Sequence, residues 1–172
     1  MYREDEPSAL FHGLHRAHHR QVSEEQAVRG VGGLGSPMLL LMLLESERQG
    51  CACSQRELAG RMRLAPATVA VSLKSLERQG YVERSTDDRD ARRNLVRLTE
   101  KGREAAEVCG QVFRSVDERM LSGFDSGERE LLTSFFRRMM KNLGGAPERP
   151  PFPPPPGYGA PPQTSDPQKE ET

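Results

Sequence analysis

Four groups of side chains in this sequence have types and spacings that could do chemistry. Cys51 and Cys53 are one residue apart, with Arg48 and Arg56 nearby; neighbouring cations lower a thiol pKa and favour the reactive thiolate. His12, His15, His18 and His19 crowd one stretch at spacings of three and four, so a helix there would gather imidazoles on one face, as metal ligands require. Gly30-Val31-Gly32-Gly33-Leu34-Gly35 matches Gly-x-Gly-x-x-Gly letter for letter, a pattern that cradles a dinucleotide when a strand precedes it in a βαβ unit. Arg89, Arg92 and Arg93 stand in a polar stretch between two short strand-like segments, where cations on a hairpin tip could enter a minor groove or hold phosphates.

Three of the four have plainer readings. The glycine run follows Ser23-Glu24-Glu25-Gln26-Ala27, which is polar and helix-prone, so an interhelical loop is expected there. No acids evidently complete a metal site with the histidines, so they read as a polar helix face in an interface or pocket. Two cysteines this close make a strained disulfide; redox sensing or metal binding by Cys51 and Cys53 is the lesser reading, and Cys109 falls on an apolar stripe as a packing residue. The chain offers no nucleophile–base pair, carboxylate pair or complete metal set, so neither an enzyme nor a bound cofactor is expected.

The arginine-bearing hairpin gains weight from its surroundings. The whole chain of 172 residues balances 25 basic against 25 acidic side chains. Between Arg56 and Arg103, however, twelve basic residues face seven acidic ones, and such a local excess is what a phosphate-binding face needs. The N-terminal residues Met1 to Pro7 hold no apolar stretch, and the run Met38–Leu44 is too short to span a bilayer. A cytoplasmic protein with reduced cysteines and no membrane partner is therefore expected.

The elements that must carry these residues are mostly helical. Leu10, Leu14 and Ala17 share a face and predict a helix from about Ser8 to Val22. Ser36-Pro37 offers an N-cap and a first-turn proline to a helix over Met38–Arg48, apolar almost all round at its start and so a buried centre. Ser54-Gln55-Arg56-Glu57 is a capping box opening a short helix that ends near Arg63. Pro66 restarts a helix with Val69, Leu73 and Leu76 inward, and Gly80 ends it. Tyr81–Arg84 and Leu95–Leu98 read as strands around the polar stretch Ser85–Asn94. A long helix follows Thr99, with Ala105, Cys109, Val112, Val116 and Met120 in one stripe. Asp125 with Glu128 opens a last helix bearing Leu132, Phe135, Phe136, Met139 and Leu143. Ten of the 13 prolines fall between Pro147 and Pro167, so residues 144–172 read as a disordered or extended tail.

Two short helices, a tight turn and a basic hairpin make a mainly α, winged helix-turn-helix fold. The helix from Pro66 to Gln79 is the candidate major-groove reader, presenting Ala67, Thr68, Ala70, Val71 and Lys74. Ala65-Pro66-Ala67-Thr68-Val69, then Leu76-Glu77 and Gly80, resembles the recognition helix of the MarR family of transcriptional regulators. Asp90-Ala91-Arg92, followed by Leu95-Val96-Arg97-Leu98-Thr99-Glu100-Lys101-Gly102, resembles that family's Asp-x-Arg wing and its Leu-Thr-Glu-Lys-Gly signature. The resemblance covers roughly Leu10 to Leu143. It implies that Arg92 reads a minor groove while Asp90 steadies the wing. It also implies a homodimer built from the first, fifth and last helices, through Leu10, Leu14, Val112, Val116, Met120, Leu132, Phe135, Phe136, Met139 and Leu143. The sequence departs from the family at Ala65, where a capping serine is usual, and in the apolar reader face.

The expected organisation is one winged helix-turn-helix domain over 1–143 with a helical dimerisation region. The DNA-binding lobe spans about 51–99, and the dimerisation helices about 8–22 and 100–143. Expected partners are double-stranded DNA, a second copy of the chain and a small-molecule effector of unknown identity. A winged-helix module that binds protein, or a metal or thiol sensor, is the alternative.

Overall fold

The computed structural model describes residues 6–87 and 90–145; the side chains at 86–93 lie outside that description. The chain runs α1 (Pro7–Val28), α2 (Pro37–Arg48), β1 (Cys53–Ser54), α3 (Gln55–Met62), α4 (Pro66–Arg78), β2 (Val82–Asp87), β3 (Asp90–Leu98), α5 (Glu100–Met120) and α6 (Ser126–Asn142). The strands form one antiparallel sheet in the order β1-β3-β2. None of the described helices is long and apolar enough to cross a membrane. The proline-rich stretch beyond Gly145 lies outside the described residues.

The centre is α2. Leu39, Leu40, Leu41, Met42, Leu43 and Leu44 are all buried, so this helix is enclosed on every side, as its sequence predicts. Their cluster is continuous with Leu58 of α3, Val69, Leu73 and Leu76 of α4, Val96 and Leu98 of β3, and Ala105, Ala106 and Cys109 of α5. One core thus joins the helix-turn-helix to α2 and α5. Burial pushes the Cys109 thiol up to about 11, which keeps it neutral and inert.

Local chemistry explains most element ends. Ser54 Oγ accepts from Glu57 N at 3.3 Å while Glu57 Oε2 accepts from Ser54 N at 2.7 Å, completing the expected capping box. Asp125 and Glu128 exchange the same pair of bonds at 2.9 Å. Ser36 occupies the N-cap position of α2, but its side chain makes no capping bond; Pro37 alone opens that helix.

Other elements differ from expectation. Helix α1 continues past Val22 to Val28, because Val22 buries against Val112 and Val116 of α5 and Glu25 pairs with both Arg29 and Arg119 at 2.7 Å. The glycine run is the loop that follows, between two helices and with no strand before it. Both hairpin strands reach into the basic stretch, and Cys53–Ser54 adds a two-residue strand against Val96 and Leu95. So short a pairing leaves no periodicity to read.

The end of α4 is closed with unusual completeness. Gly80 adopts φ +74°, its N–H donates to Glu77 O at 2.9 Å, and Tyr81 N donates to Leu76 O at 2.9 Å, a Schellman motif. The three following carbonyls are taken by the start of α5. Lys101 Nζ donates to Gln79 O at 2.8 Å, Thr99 Oγ1 to Gly80 O at 2.7 Å, and Thr99 N to Tyr81 O at 3.1 Å. This approach is so close that a Cβ at Gly102 would collide with Tyr81 O.

Gly102→Ala should therefore destabilise the protein by about 1–3 kcal/mol, the usual range for forced overpacking. Gly60→Ala, in α3, adds a methyl with nothing within 4 Å and should stabilise by about 0.5–1 kcal/mol. Urea midpoints for the two variants should move in opposite directions; a shift of the same sign in both would contradict the contact.

Candidate nucleic-acid interface

Helix α4 divides cleanly into two faces. Val69, Leu73 and Leu76 are fully buried, while Val71 is 71% exposed. Ala67, Thr68 and Lys74 are exposed beside it and Ala70 is half-buried. Ala65 provides no side-chain cap; its carbonyl accepts from Thr68 N at 2.9 Å. The expected reader residues thus share one outward surface, and all but Thr68 and Lys74 are apolar.

The turn before α4 is tight. Leu64 N donates to Ala59 O at 3.1 Å, and Gln55 Nε2 reaches Pro66 O at 3.4 Å. Arg63 takes φ +51°, the one non-glycine residue with positive φ among those described. A left-handed conformation costs a side-chain-bearing residue about 1 kcal/mol, so this turn holds an exposed arginine where glycine would sit more easily. The sequence carries no marker of that conformation.

The wing is the β2–β3 hairpin. Pairing runs regularly from Val82↔Leu98 to Thr86↔Asn94, then shifts so that Asp87 faces Asp90. Asp90, Arg92 and Arg93 therefore lie in β3 at and beside a register irregularity. Their side chains, and Arg89 altogether, lie outside the described residues. At the wing's foot, Arg97 Nε donates to Ser85 Oγ at 3.3 Å and Arg84 pairs with Glu77 of α4 at 3.2 Å.

Behind the wing lies a group of residues that sequence reasoning missed. Glu47 of α2 accepts from Leu98 N at 3.0 Å and from Arg103 Nε at 2.9 Å. Arg103 donates in turn to Glu100 at 2.9 Å and to Leu98 O at 3.1 Å. The Glu47 carboxylate, and then Glu100, raise the Arg103 pKa further. Glu47 and Arg103 also line a cavity of about 280 Å³ with Ser46, Cys51, Cys53 and Arg97. The two residues lie 56 positions apart, which no spacing rule connects.

The two cysteines have different surroundings. Cys51 is exposed and Cys53 buried. Cys53 Sγ lies 3.1 Å from the buried Ser46 Oγ and 3.5 Å from the Arg61 guanidinium. The cation beside the Cys53 thiol is thus Arg61; Arg48 lies 3.7 Å from Glu107. Among the described residues no group of three or more His, Cys, Asp or Glu could hold a metal. His18 bonds to Asp117 at 2.8 Å, which braces α1 on α5.

The expected dimer residues separate into two sets. Leu10 and Leu14 of α1 and Phe135, Met139 and Leu143 in and after α6 are all exposed, and Met120 is 37% exposed. Leu132 and Phe136 are half-buried. Val112 and Val116 instead bury against Val22 within one chain. Val112 and Val116 thus face their own chain, where Val22 of α1 covers them. Phe11, Leu131 and Met140, all exposed, widen the outer stripe; their spacing to Leu14, Phe135 and Phe136 was legible in the sequence.

Comparison with known proteins agrees with this geometry. The model of the MarR family matches residues 35–93. The chain is 28% identical to the HTH-type transcriptional regulator BilQ of Clostridium symbiosum over 63% of this chain and 74% of that protein. It is 38% identical to the transcriptional regulator AdcR of Streptococcus pneumoniae over 60% of this chain and 70% of that one. Several matched curated relatives from Bacillus subtilis are spanned over only 54–59% of their length. The fold superposes on the crystal structure of the Staphylococcus aureus MepR–DNA complex with a TM-score of 0.69 at 21% identity, covering 80% of this chain and 98% of that one. An outward helix and a paired wing, set on one core with α2 and α5, are thus shared with a known group of regulators: this chain belongs to the MarR family of winged helix-turn-helix transcriptional regulators.

Proposed function

We propose that the protein binds a pseudo-palindromic promoter duplex as a homodimer and is modulated by a small-molecule signal. The observation that carries this reading is the outward face of α4 beside the wing. A helix whose other side is locked into the core presents Thr68, Val71 and Lys74 to a groove without moving. The solved MepR complex with DNA supports it by analogy of fold. In this reading Ala67, Ala70 and Val71 meet thymine methyl groups, and Arg89, Arg92 and Arg93 hold phosphates or a minor groove, with Asp90 steadying Arg92.

The dimer is supported by an apolar surface that none of the described residues covers. No residue of α6 is buried. A groove of about 710 Å³ runs between α1 and α6, lined by Leu10, Phe11, Leu14, Phe136 and Met139. A second copy would bury side chains worth about 1.5–3 kcal/mol each and set two reader helices about 34 Å apart, one DNA turn. An effector in the 280 Å³ cavity would bear on α2, α5 and the wing's foot together, and must favour one spacing of the readers over another.

Fluorescence anisotropy on the duplex upstream of the protein's own gene, against a scrambled duplex at several salt concentrations, tests the main reading. Specific binding that weakens steeply with salt is expected. Arg92→Ala should cost about 1–3 kcal/mol of that specific affinity. Feeble, equal binding to both duplexes, by a folded dimer and also after selection from random DNA, would favour a protein-binding winged helix.

Phe135→Glu should yield monomers in sedimentation velocity and lose duplex affinity; a dimer that persists would move the interface elsewhere. The exposed Cys51 is the thiol of the pair that an oxidant can reach, and its oxidation is a second form of signal. In that case peroxide should release the duplex from the wild type and not from Cys51→Ser.

A further inference from the structure

The signature Leu98–Gly102 lies away from the outward face of α4, and none of its residues has been given a part in binding. Together with the adjoining Arg103 and its partner Glu47, it nevertheless reaches both elements that face DNA. Toward α4, Thr99 and Lys101 occupy the three carbonyls that follow the helix, from Gln79 to Tyr81, and the Lys101 ammonium lies 4.3 Å from the Tyr81 ring centroid. Toward the wing, Arg103 and Glu47 together satisfy both backbone groups of Leu98, the last residue of β3. The Glu47–Arg103 pair thereby stands in for a neighbouring strand at the foot of the hairpin and ties it to α2.

We propose that the first turn of α5 positions both DNA-facing elements, with Lys101 holding the end of α4 and the Arg103–Glu47 pair holding the foot of the wing. Lys101 and Arg103 are positioning residues; neither needs to touch DNA. This rests on the DNA-binding reading above and adds how that surface is aimed. The pair is partly exposed, with side chains 43% and 26% accessible, and exposed ion pairs contribute little to global stability. Its geometric effect is disproportionate, because it joins α2, β3 and α5 at one point. Any rotation of α5 against α2 must break these bonds or carry the wing with it. Glu47 and Arg103 also line the 280 Å³ cavity, so a molecule seated there would touch the joint itself.

The test uses the full chain and the variants Lys101→Met, Arg103→Ala, Glu47→Ala and the double Glu47→Ala/Arg103→Ala. In DNA-free protein, amide exchange at Val96–Leu98 should quicken about tenfold in Arg103→Ala, while exchange in α6 stays unchanged. On a duplex selected from random DNA by the wild type, each single variant should lose about tenfold in specific affinity. The double variant should lose no more than either single, as coupled residues do. The salt slope should stay at the wild-type value, whereas a lost phosphate contact would lower it by about one.

Arg103→Lys should recover only part of the loss, since a lysine cannot bridge Glu47 and the Leu98 carbonyl in one plane. Unchanged exchange at the wing's foot would overturn the proposal, as would additive losses or a reduced salt slope in Arg103→Ala. Should the wild type select no duplex, the DNA-binding reading falls, and the exchange measurement alone still decides whether Arg103 anchors the wing.

Discussion

Burial of α2 on every side is the condition from which the rest of the architecture follows. Six consecutive apolar residues, Leu39 to Leu44, cannot face water on any turn of the helix. They must be wrapped by elements from both halves of the chain. Helix α5 and strand β3 supply that wrapping, and the cluster extends through α3 and α4. The reader helix, the wing and the long C-terminal helix are thus fastened to one another through a shared core. A regulator that must aim two DNA-facing elements gains from this, because close-packed interiors pass displacement on and do not absorb it.

The polar chemistry is concentrated where the core ends. Three carbonyls after α4 and both backbone groups of Leu98 would be left without partners at the junction of helix, strand and helix. Thr99, Lys101, Glu47 and Arg103 occupy them. The part-buried backbone groups of Leu98 demand such partners, and the exposed bonds to Gln79 and Gly80 tie the end of α4 to α5; this junction is where the orientation of the reader and the wing is set. The chain as a whole is neutral, and this half of the fold carries a local excess of positive charge, twelve basic against seven acidic residues between Arg56 and Arg103.

Much of the site was legible in advance because short-range rules govern it. The capping box at Ser54, the stop at Gly80 and the inward triad Val69, Leu73 and Leu76 depend only on neighbours within a few turns. The outward face of α4 follows from that triad by helical geometry alone. The same reasoning ended α1 near Val22, although it read Ser23–Ala27 as helix-prone. What holds the extension to Val28 is the ion pair from Glu25 to Arg119, 94 residues away. It also assigned Val112 and Val116 to a partner, since an apolar stripe does not say which surface covers it; here α1 of the same chain does.

The sequence by itself determined the order and type of the elements, the inner and outer faces of α4, the basic character of the hairpin and the family. Each of these is written in periodicity, capping chemistry or contiguous signature residues. Only the tertiary structure decided the two-residue strand at Cys53, the left-handed turn at Arg63, the guanidinium that neighbours Cys53, and the joint between Glu47, Leu98 and Arg103. These depend on groups brought together across as many as 56 residues by the enclosure of α2. Contacts of that kind arise from packing in three dimensions and leave no regular spacing along the chain.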